Sequence, residues 1–333
     1  MATTQFTEGL RDLGNGAYAY LQPDGSWGLS NAGLIASRGE TLLVDTLMDL
    51  PRTRTMLEAM RKAEPAAEQI GVLVNTHSNG DHTHGNQLVG DARIIASDAC
   101  FREMQLQGSP SEKDSIAKSW MKFGKPGAFF QEVMWWRFDT DNIVHTMPTE
   151  TFTGEMELQV GDKKVRLVEV GPAHTRGDVL AYVPDDRIVY TGDIAFIGGH
   201  PIVWAGPVGN WIKACDLILG WDVETVVPGH GPITDKNGIR KLRDYFEYIH
   251  REAKLRFDAG LSYDEAARDI AFDAYADWLD PERIVINVIT CYREFSGGKG
   301  PDFFGMLDAM ARLYYEQHPD AETHPRHAVI DDA

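Results

Sequence analysis

A chain of 333 residues with 43% hydrophobic side chains is long enough for one large two-layer core or two smaller ones. A net charge of −18 and a pI near 5.0 set up a negative field, which argues against nucleic acid and anionic membrane surfaces as partners. No stretch approaches the ~18 consecutive apolar residues of a membrane span, and the polar start up to Asn15 lacks a signal-peptide pattern, so a cytoplasmic location is expected.

In chain order the first half reads β-β-α-β. Residues 28–37 and 41–45 look like paired strands around the turn Arg38-Gly39-Glu40, and 51–62 reads as an amphipathic helix with Pro51 in its first turn. Residues 70–75 form a short buried strand, 92–96 another, and a helix starts at Asp98. Residues 107–150 break this rhythm with Gly, Pro and aromatics, among them Trp120, Phe129, Phe130, Trp135 and Trp136. Two readings stand for this insert, a satellite packing cluster or an aromatic lid. Strands follow at 151–152, 156–160, 164–170, 180–183, 187–190 and 225–227, with a helix at 208–219 closed by Gly220. The remainder is helical: 235–258, a capping box at Ser262 to Glu265, and a helix opened by Asp280-Pro281. Two mixed sheets packed face to face, with helices outside, follow from this order. Cys100, Cys215 and Cys291 are odd in number and far apart, so they are expected to stay reduced and buried.

Four pieces of chemistry sit where strands give way to turns: the run His77-Ser78-Asn79-Gly80-Asp81-His82, then His174, Asp193 and His230. Imidazole with carboxylate is a ligand set for a divalent transition metal, above all zinc. Any one piece has an ordinary structural explanation; a lone strand-end histidine is usually capped, and Asp in Thr-Gly-Asp is usually a turn residue. All four in this order point to a metal site. The motif reads as a tight loop opened by Gly80, in which the neighbours Asp81 and His82 point in different directions and serve one metal or two. His84 and His200 are candidates for contacting substrate or supporting a ligand, whereas His318, His324 and His327 read as surface.

This constellation resembles the metallo-β-lactamase-fold metallohydrolases, whose pattern is His-x-His-x-Asp-His, a distant His, a bridging Asp and a final His. The flanks Leu42 to Asp45, Thr191-Gly192-Asp193 and Pro228-Gly229-His230-Gly231 agree. The resemblance implies an α+β fold, a four-layer αββα sandwich. It gives a catalytic domain over 1–235, with the aromatic insert inside it, and a C-terminal helical extension of the same domain over 236–333. It also divides the ligands into two sets, His77, Asn79 and His174 in one and Asp81, His82 and His230 in the other, with Asp193 bridging.

One position departs from the pattern, because the second motif histidine is Asn79. An amide oxygen is a weak neutral ligand, so one zinc is expected on Asp81, His82, Asp193 and His230, with the second site weak or empty. A dinuclear site that tolerates Asn79 is the alternative. Bound zinc lowers the pKa of water to about 7, which provides hydroxide for hydrolysis. Asp81, His174 and His77 are the candidate proton acceptors, and Asp45 the residue that holds a ligand histidine or the motif loop. Trp204 and Trp211, with His200, His84, Trp120, Phe129 and Trp135, form the expected substrate pocket, which favours a small apolar or aromatic substrate: a lactone, ester, thioester or activated aryl halide. Loss of the second motif histidine also resembles hydrolytic dehalogenases of the chlorothalonil type. A catalytically silent binding scaffold and an iron-dependent redox enzyme are the competing classes. The apolar residues of 302–315 (Phe303, Phe304, Met306, Leu307, Met310, Leu313), if exposed, predict a homodimer.

Overall fold

The computed structural model describes residues 6–323. One sheet takes seven strands in sequence order: β1 (Gly9–Gly14), β2 (Ala17–Leu21), β3 (Ala32–Ser37), β4 (Glu40–Val44), β5 (Val72–Val74), β6 (Arg93–Ser97) and β7 (Glu150–Phe152). Its first four strands are antiparallel and its last four parallel. The switch at β4 follows from helix α1 (Leu50–Ala63), a crossover that returns the chain in the same direction. The second sheet holds β8 (Glu155–Val160), β9 (Lys163–Glu169), β10 (Val179–Val183), β11 (Ile188–Tyr190) and β12 (Thr225–Val227) in the order β12-β11-β10-β9-β8.

Side-chain alternation decides the layers. In β4, Leu42 and Val44 face the other sheet while Leu43 faces Met56, Leu57 and Met60 of α1. In β10, Val179, Ala181 and Val183 face the first sheet, and Leu180 and Tyr182 face outward. That outer face is covered by α6 (Val208–Gly220) and α7 (Lys236–Asp258), through Trp211, Cys215, Ile218, Tyr245 and Phe246. The result is a four-layer αββα sandwich. The helices after it, α8 (Tyr263–Asp269), α9 (Ile284–Ser296) and α10 (Phe303–Gln317), join the same outer core. Among the described residues no helix is long and apolar enough to cross a membrane.

Several expectations need correction. Strand β1 lies in the polar start, β2 is a short apolar segment outside the expected strands, and the first expected strand starts at Ala32 rather than Gly28. The helix expected at Asp280-Pro281 does begin there, as a 3-10 turn over Pro281–Arg283 that runs into Ile284–Ser296, but Asp280 makes no side-chain cap bond; its backbone is left-handed (φ 58°) and its carboxylate pairs with Arg283. Met306, Leu307, Met310 and Leu313 are buried against the chain's own core, and Phe303 and Phe304 are half exposed. This removes the exposed face on which the dimer expectation rested. The 107–150 insert, which follows α3 (Asp98–Leu106) and carries the short helices α4 (Ile116–Ser119) and α5 (Gly124–Val133), packs Phe129, Phe130, Val133 and Met134 into the outer core, where Phe129 meets Tyr314 edge to face. Helix α2 is Gly80–Thr83, inside the histidine motif. All three cysteines are buried and unpaired. His318 is exposed beside Tyr314; His324 and His327 lie outside the described residues.

Candidate metal centre

The carboxyl ends of β4, β5, β11 and β12 open onto one edge of the sandwich. Asp45 follows β4, His77 follows β5, Asp193 follows β11 and His230 follows β12, while His174 comes from the turn between β9 and β10. Parallel strands deliver their ends to the same edge, which is why residues far apart in sequence converge there. The motif is not an extended loop. After Asn79 the chain turns into α2, and the helical step lets Asp81 and His82 face one basin, with His82 Nε2 3.8 Å from Asp81 Oδ2.

The separations within the basin suit a metal. Tetrahedral ligands ~2.1 Å from zinc stand roughly 3.4 Å apart. His82 Nε2 lies 3.0 Å from Asp193 Oδ1, His230 Nε2 lies 3.2 Å from Asp81 Oδ2, and His230 Nε2 lies 3.5 Å from Asp193 Oδ2. Ligand atoms of Asp81, His82 and His230 all fall within 4.8 Å of one another, as do those of His77, His82 and Asp193. Both groups use His82, so they describe one shared basin. His77 Nε2, His82 Nε2 and Asp193 Oδ1 are buried without a hydrogen-bond partner among the described residues. Buried polar atoms left unpaired are costly, and a cation among them removes that cost. The residues present therefore fit a divalent metal ion.

The far side of each ring fixes its orientation. His82 Nδ1 donates to Asp45 Oδ2 at 2.9 Å, His230 Nδ1 to the Gly25 carbonyl at 3.0 Å, and His174 Nδ1 to the Ile202 carbonyl at 2.7 Å. Thr76 donates its hydroxyl to Asp45 Oδ2 (2.7 Å) and its backbone N–H to Oδ1 (2.7 Å), so its oxygen can accept from His77 Nδ1 at 3.1 Å. Asp45 thus orients two histidines, one directly and one through Thr76, from a left-handed backbone position (φ 62°) that a non-glycine residue adopts only at a cost. With every Nδ1 proton committed outward, each Nε2 faces inward and offers its lone pair to a metal once it is free of a proton.

Electrostatics follow from the same crowding. Burial opposes charge on His230, but Asp193 and Asp81 push its pKa up to about 9. His82 is driven well above the usual range, burial being outweighed by Asp193, Asp81 and Asp45. His77 falls well below, through burial and the neighbouring His82, and His174 falls chiefly through burial. Asp193 is held well below the carboxylate range against burial by the surrounding histidines.

Asn79 meets this basin through His174, whose Nε2 also lies 3.2 Å from Asp193 Oδ2. His174 Nε2 lies 2.8 Å from the Asn79 Oδ1 position. A neutral imidazole whose Nδ1 proton goes to Ile202 has only a lone pair at Nε2, so the amide satisfies the contact with its NH2 end toward the ring.

The basin forms the floor of a cavity of about 740 Å³. Trp135, Trp204 and His84 line it, as the sequence suggests, together with Trp27, Phe130, Met134, Phe196, Arg283 and Phe303, which sequence reasoning missed. Trp211 and Phe129 do not line it; both are fully buried in the core, Trp211 donating Nε1–H to the Ile194 carbonyl at 2.8 Å. His200 is buried among Phe272, Trp278 and Tyr245, and burial takes its pKa to about 3. Trp120 stands off the cavity; Ile116 and Ala117, just before it, take that place. His84 is tied to the Met48 carbonyl at 3.1 Å, and burial lowers its pKa to about 4.

The model of the metallo-beta-lactamase superfamily matches residues 25–230, more than half of the chain. The chain belongs to the metallo-beta-lactamase superfamily. Among curated relatives, the 2,4-dinitroanisole O-demethylase subunit alpha of Nocardioides sp. (strain JS1661) is 33% identical over 84 residues, 25% of this chain and 26% of its own length. The acyl-coenzyme A thioesterase MBLAC2 of Homo sapiens is 22% identical over 226 residues, covering 60% of this chain and 72% of that protein. Similar solved structures include the stereoselective inverting sec-alkylsulfatase Pisa1 from Pseudomonas sp. (TM-score 0.65, 16% identity, 89% of this chain and 51% of that one). The DIM-1 metallo-beta-lactamase is a second (TM-score 0.52, 17% identity, 72% and 97%). The chain thus spans about a quarter of the demethylase subunit and half of the sulfatase, and these structural likenesses speak for the fold.

Proposed function

We propose that this chain is a zinc-dependent hydrolase of small apolar or aromatic molecules, working with one tightly held zinc on Asp81, His82, Asp193 and His230. The observation that carries the reading is a buried cradle of inward-facing imidazole and carboxylate groups at the floor of an aromatic-walled cavity. Support for a single metal comes from His82, whose one inward lone pair serves both ligand groups, and from the Asn79 amide, which takes up His174.

When bound, zinc supplies a water of pKa near 7 and a Lewis acid for the leaving group. The chain's own groups do the rest. Asp81 lines the cavity and is placed to take the proton given up by water, while the Ile202 carbonyl and the Asn79 amide fix His174 beside it. Asp45 keeps His82 and His77 aimed inward. The walls of Trp27, Phe130, Trp135, Phe196 and Trp204 favour flat apolar groups and exclude bulk water. In the net reaction water oxygen bonds to an electrophilic carbon, and the leaving group departs with the electron pair of the broken bond and a proton.

The names of the relatives narrow the candidates. The demethylase match favours an activated aryl ether or halide, and the thioesterase match an acyl thioester. The test is a substrate panel on the full chain, zinc-loaded and chelated: 2,4-dinitroanisole, a chlorinated benzonitrile, 4-nitrophenyl acetate and an acyl thioester. Zinc-dependent turnover of at least one compound is the expected result. No turnover across the panel, or a protein that retains iron instead of zinc, contradicts the proposal.

A further inference from the structure

One wall of the cavity carries a buried cation. His230 and Phe196 stack with centroids 4.9 Å apart and planes 1° from parallel; the Arg283 guanidinium lies 5.3 Å from the Phe196 ring and 4.2 Å over Trp27. All four residues line the cavity. Arg283 is 1% exposed, and the other two lining arginines differ from it: Arg176 is exposed beside Glu103, and Arg293 reaches the Pro301 carbonyl. The stack therefore runs from a proposed metal ligand to a guanidinium about one aromatic ring further along the wall.

The donors of Arg283 are not used up. Nη1 donates to the His200 carbonyl at 2.9 Å, and Nη2 pairs with Asp280 Oδ2 at 2.9 Å. Nε has no hydrogen-bond partner among the described residues. A buried guanidinium N–H left unpaired is costly, and a ligand oxygen would satisfy it. Two carboxyl groups flank the cation. Asp280 offsets its formal charge, while Glu282 accepts Trp27 Nε1–H at 2.7 Å and is pushed up to about 7 by burial and by Asp280. Near neutrality the wall thus offers directed N–H donors with little net charge. Such a wall accepts a planar two-oxygen group on an arene, which presents a pair of coplanar acceptors to a guanidinium fork while its ring packs against aromatic faces.

We propose that Arg283 is a specificity-determining anchor for a nitro or carboxylate substituent of an aromatic substrate, whose ring lies along the Trp27–Phe196 wall with its reacting carbon toward the metal basin. The orientation rests on the hydrolase reading above; the binding preference does not.

The test measures dissociation constants by calorimetry on the zinc-loaded full chain for nitrobenzene, benzoate and benzyl alcohol, three ligands that share a ring. Wild type is expected to bind one or both of the first two roughly tenfold or more tighter than benzyl alcohol, the scale of a hydrogen bond to a charged donor. Arg283→Met should erase that preference and leave benzyl alcohol within about threefold. Arg283→Lys keeps the charge, loses the fork and should reduce the preference; it serves if the methionine variant does not fold. Equal constants for all three ligands in wild type overturn the anchor, as does a preference that survives in a folded variant. A retained preference without turnover of any substrate upholds the anchor and sinks the hydrolase reading.

Discussion

The metal basin and the cavity wall above it are built in opposite ways. The basin draws its groups from chain turns at strand ends, and two covalently neighbouring residues, Asp81 and His82, supply two of its ligand candidates. The wall takes Trp27 from the β2–β3 connection, Phe130 and Trp135 from the insert, Phe196 and Trp204 from the segment after β11, and Arg283 from the turn before α9. Convergence in the first case is imposed by a sheet edge, and in the second by packing of segments with no shared element. The candidate metal chemistry is thus set by backbone architecture, and the shape of the cavity above it by contacts that can change without disturbing it.

The comparison is broken most severely by Asp193→Ala, which removes the carboxylate facing four histidines. Metal content should drop and turnover should fall by roughly three orders of magnitude or more, since water is a poor nucleophile without the metal; a variant that keeps both would show Asp193 to be dispensable. Trp211→Ala and Trp204→Ala separate core from wall. The first empties a fully buried site and should cost about 3–5 kcal/mol in a denaturant titration, while the second should raise KM with stability little changed. Similar losses of stability in both would erase the distinction drawn between them.

Asp45→Ala acts on the basin from outside. By freeing the far side of His82, and of His77 through Thr76, it should weaken zinc binding about 10–100-fold in a chelator competition. Unchanged affinity would mean that burial alone orients the rings. The smallest effect belongs to the wall. Glu282 has a folded pKa raised from 4.5 to about 7, so its contribution to stability is fully present below pH 4.5 and is lost as the pH rises through about 7. Glu282→Gln should flatten that part of the profile, seen as a smaller drop in thermal midpoint between pH 4.5 and 7 than in wild type; parallel profiles would count against a buried titrating carboxyl.

Legibility in the sequence divides along the same line. Periodicity located β3, β4, α1 and the strands around the basin, because each is a continuous segment with its own pattern. It missed β1, whose pairing with β2 supplies what its composition does not show, and β2, a short apolar run of Ala and Tyr, and it took α2 for a loop because Gly80 reads as a breaker. The ligand candidates could be gathered from the motif and its resemblance to the superfamily. Their orienting partners, the carbonyls of Gly25 and Ile202, carry no side-chain signal at all. For the wall, aromatic content pointed to the right segments and to the wrong faces: Phe129 turns inward and Phe130 meets the cavity, Trp211 fills the core and Trp204 the wall. Only packing chooses between adjacent rings, and Arg283 gave no hint because an arginine near Asp and Glu reads as surface.

The central proposal is that one zinc serves this basin because Asn79, a neutral amide paired with His174, is a weak ligand for the first set. It is tested most directly by metal content per chain, on protein purified without added metal, for wild type and Asn79→His. The account predicts one zinc in wild type and two in the variant, where a new imidazole joins His77 and releases His174. Two zincs in wild type would contradict it and make Asn79 an adequate ligand.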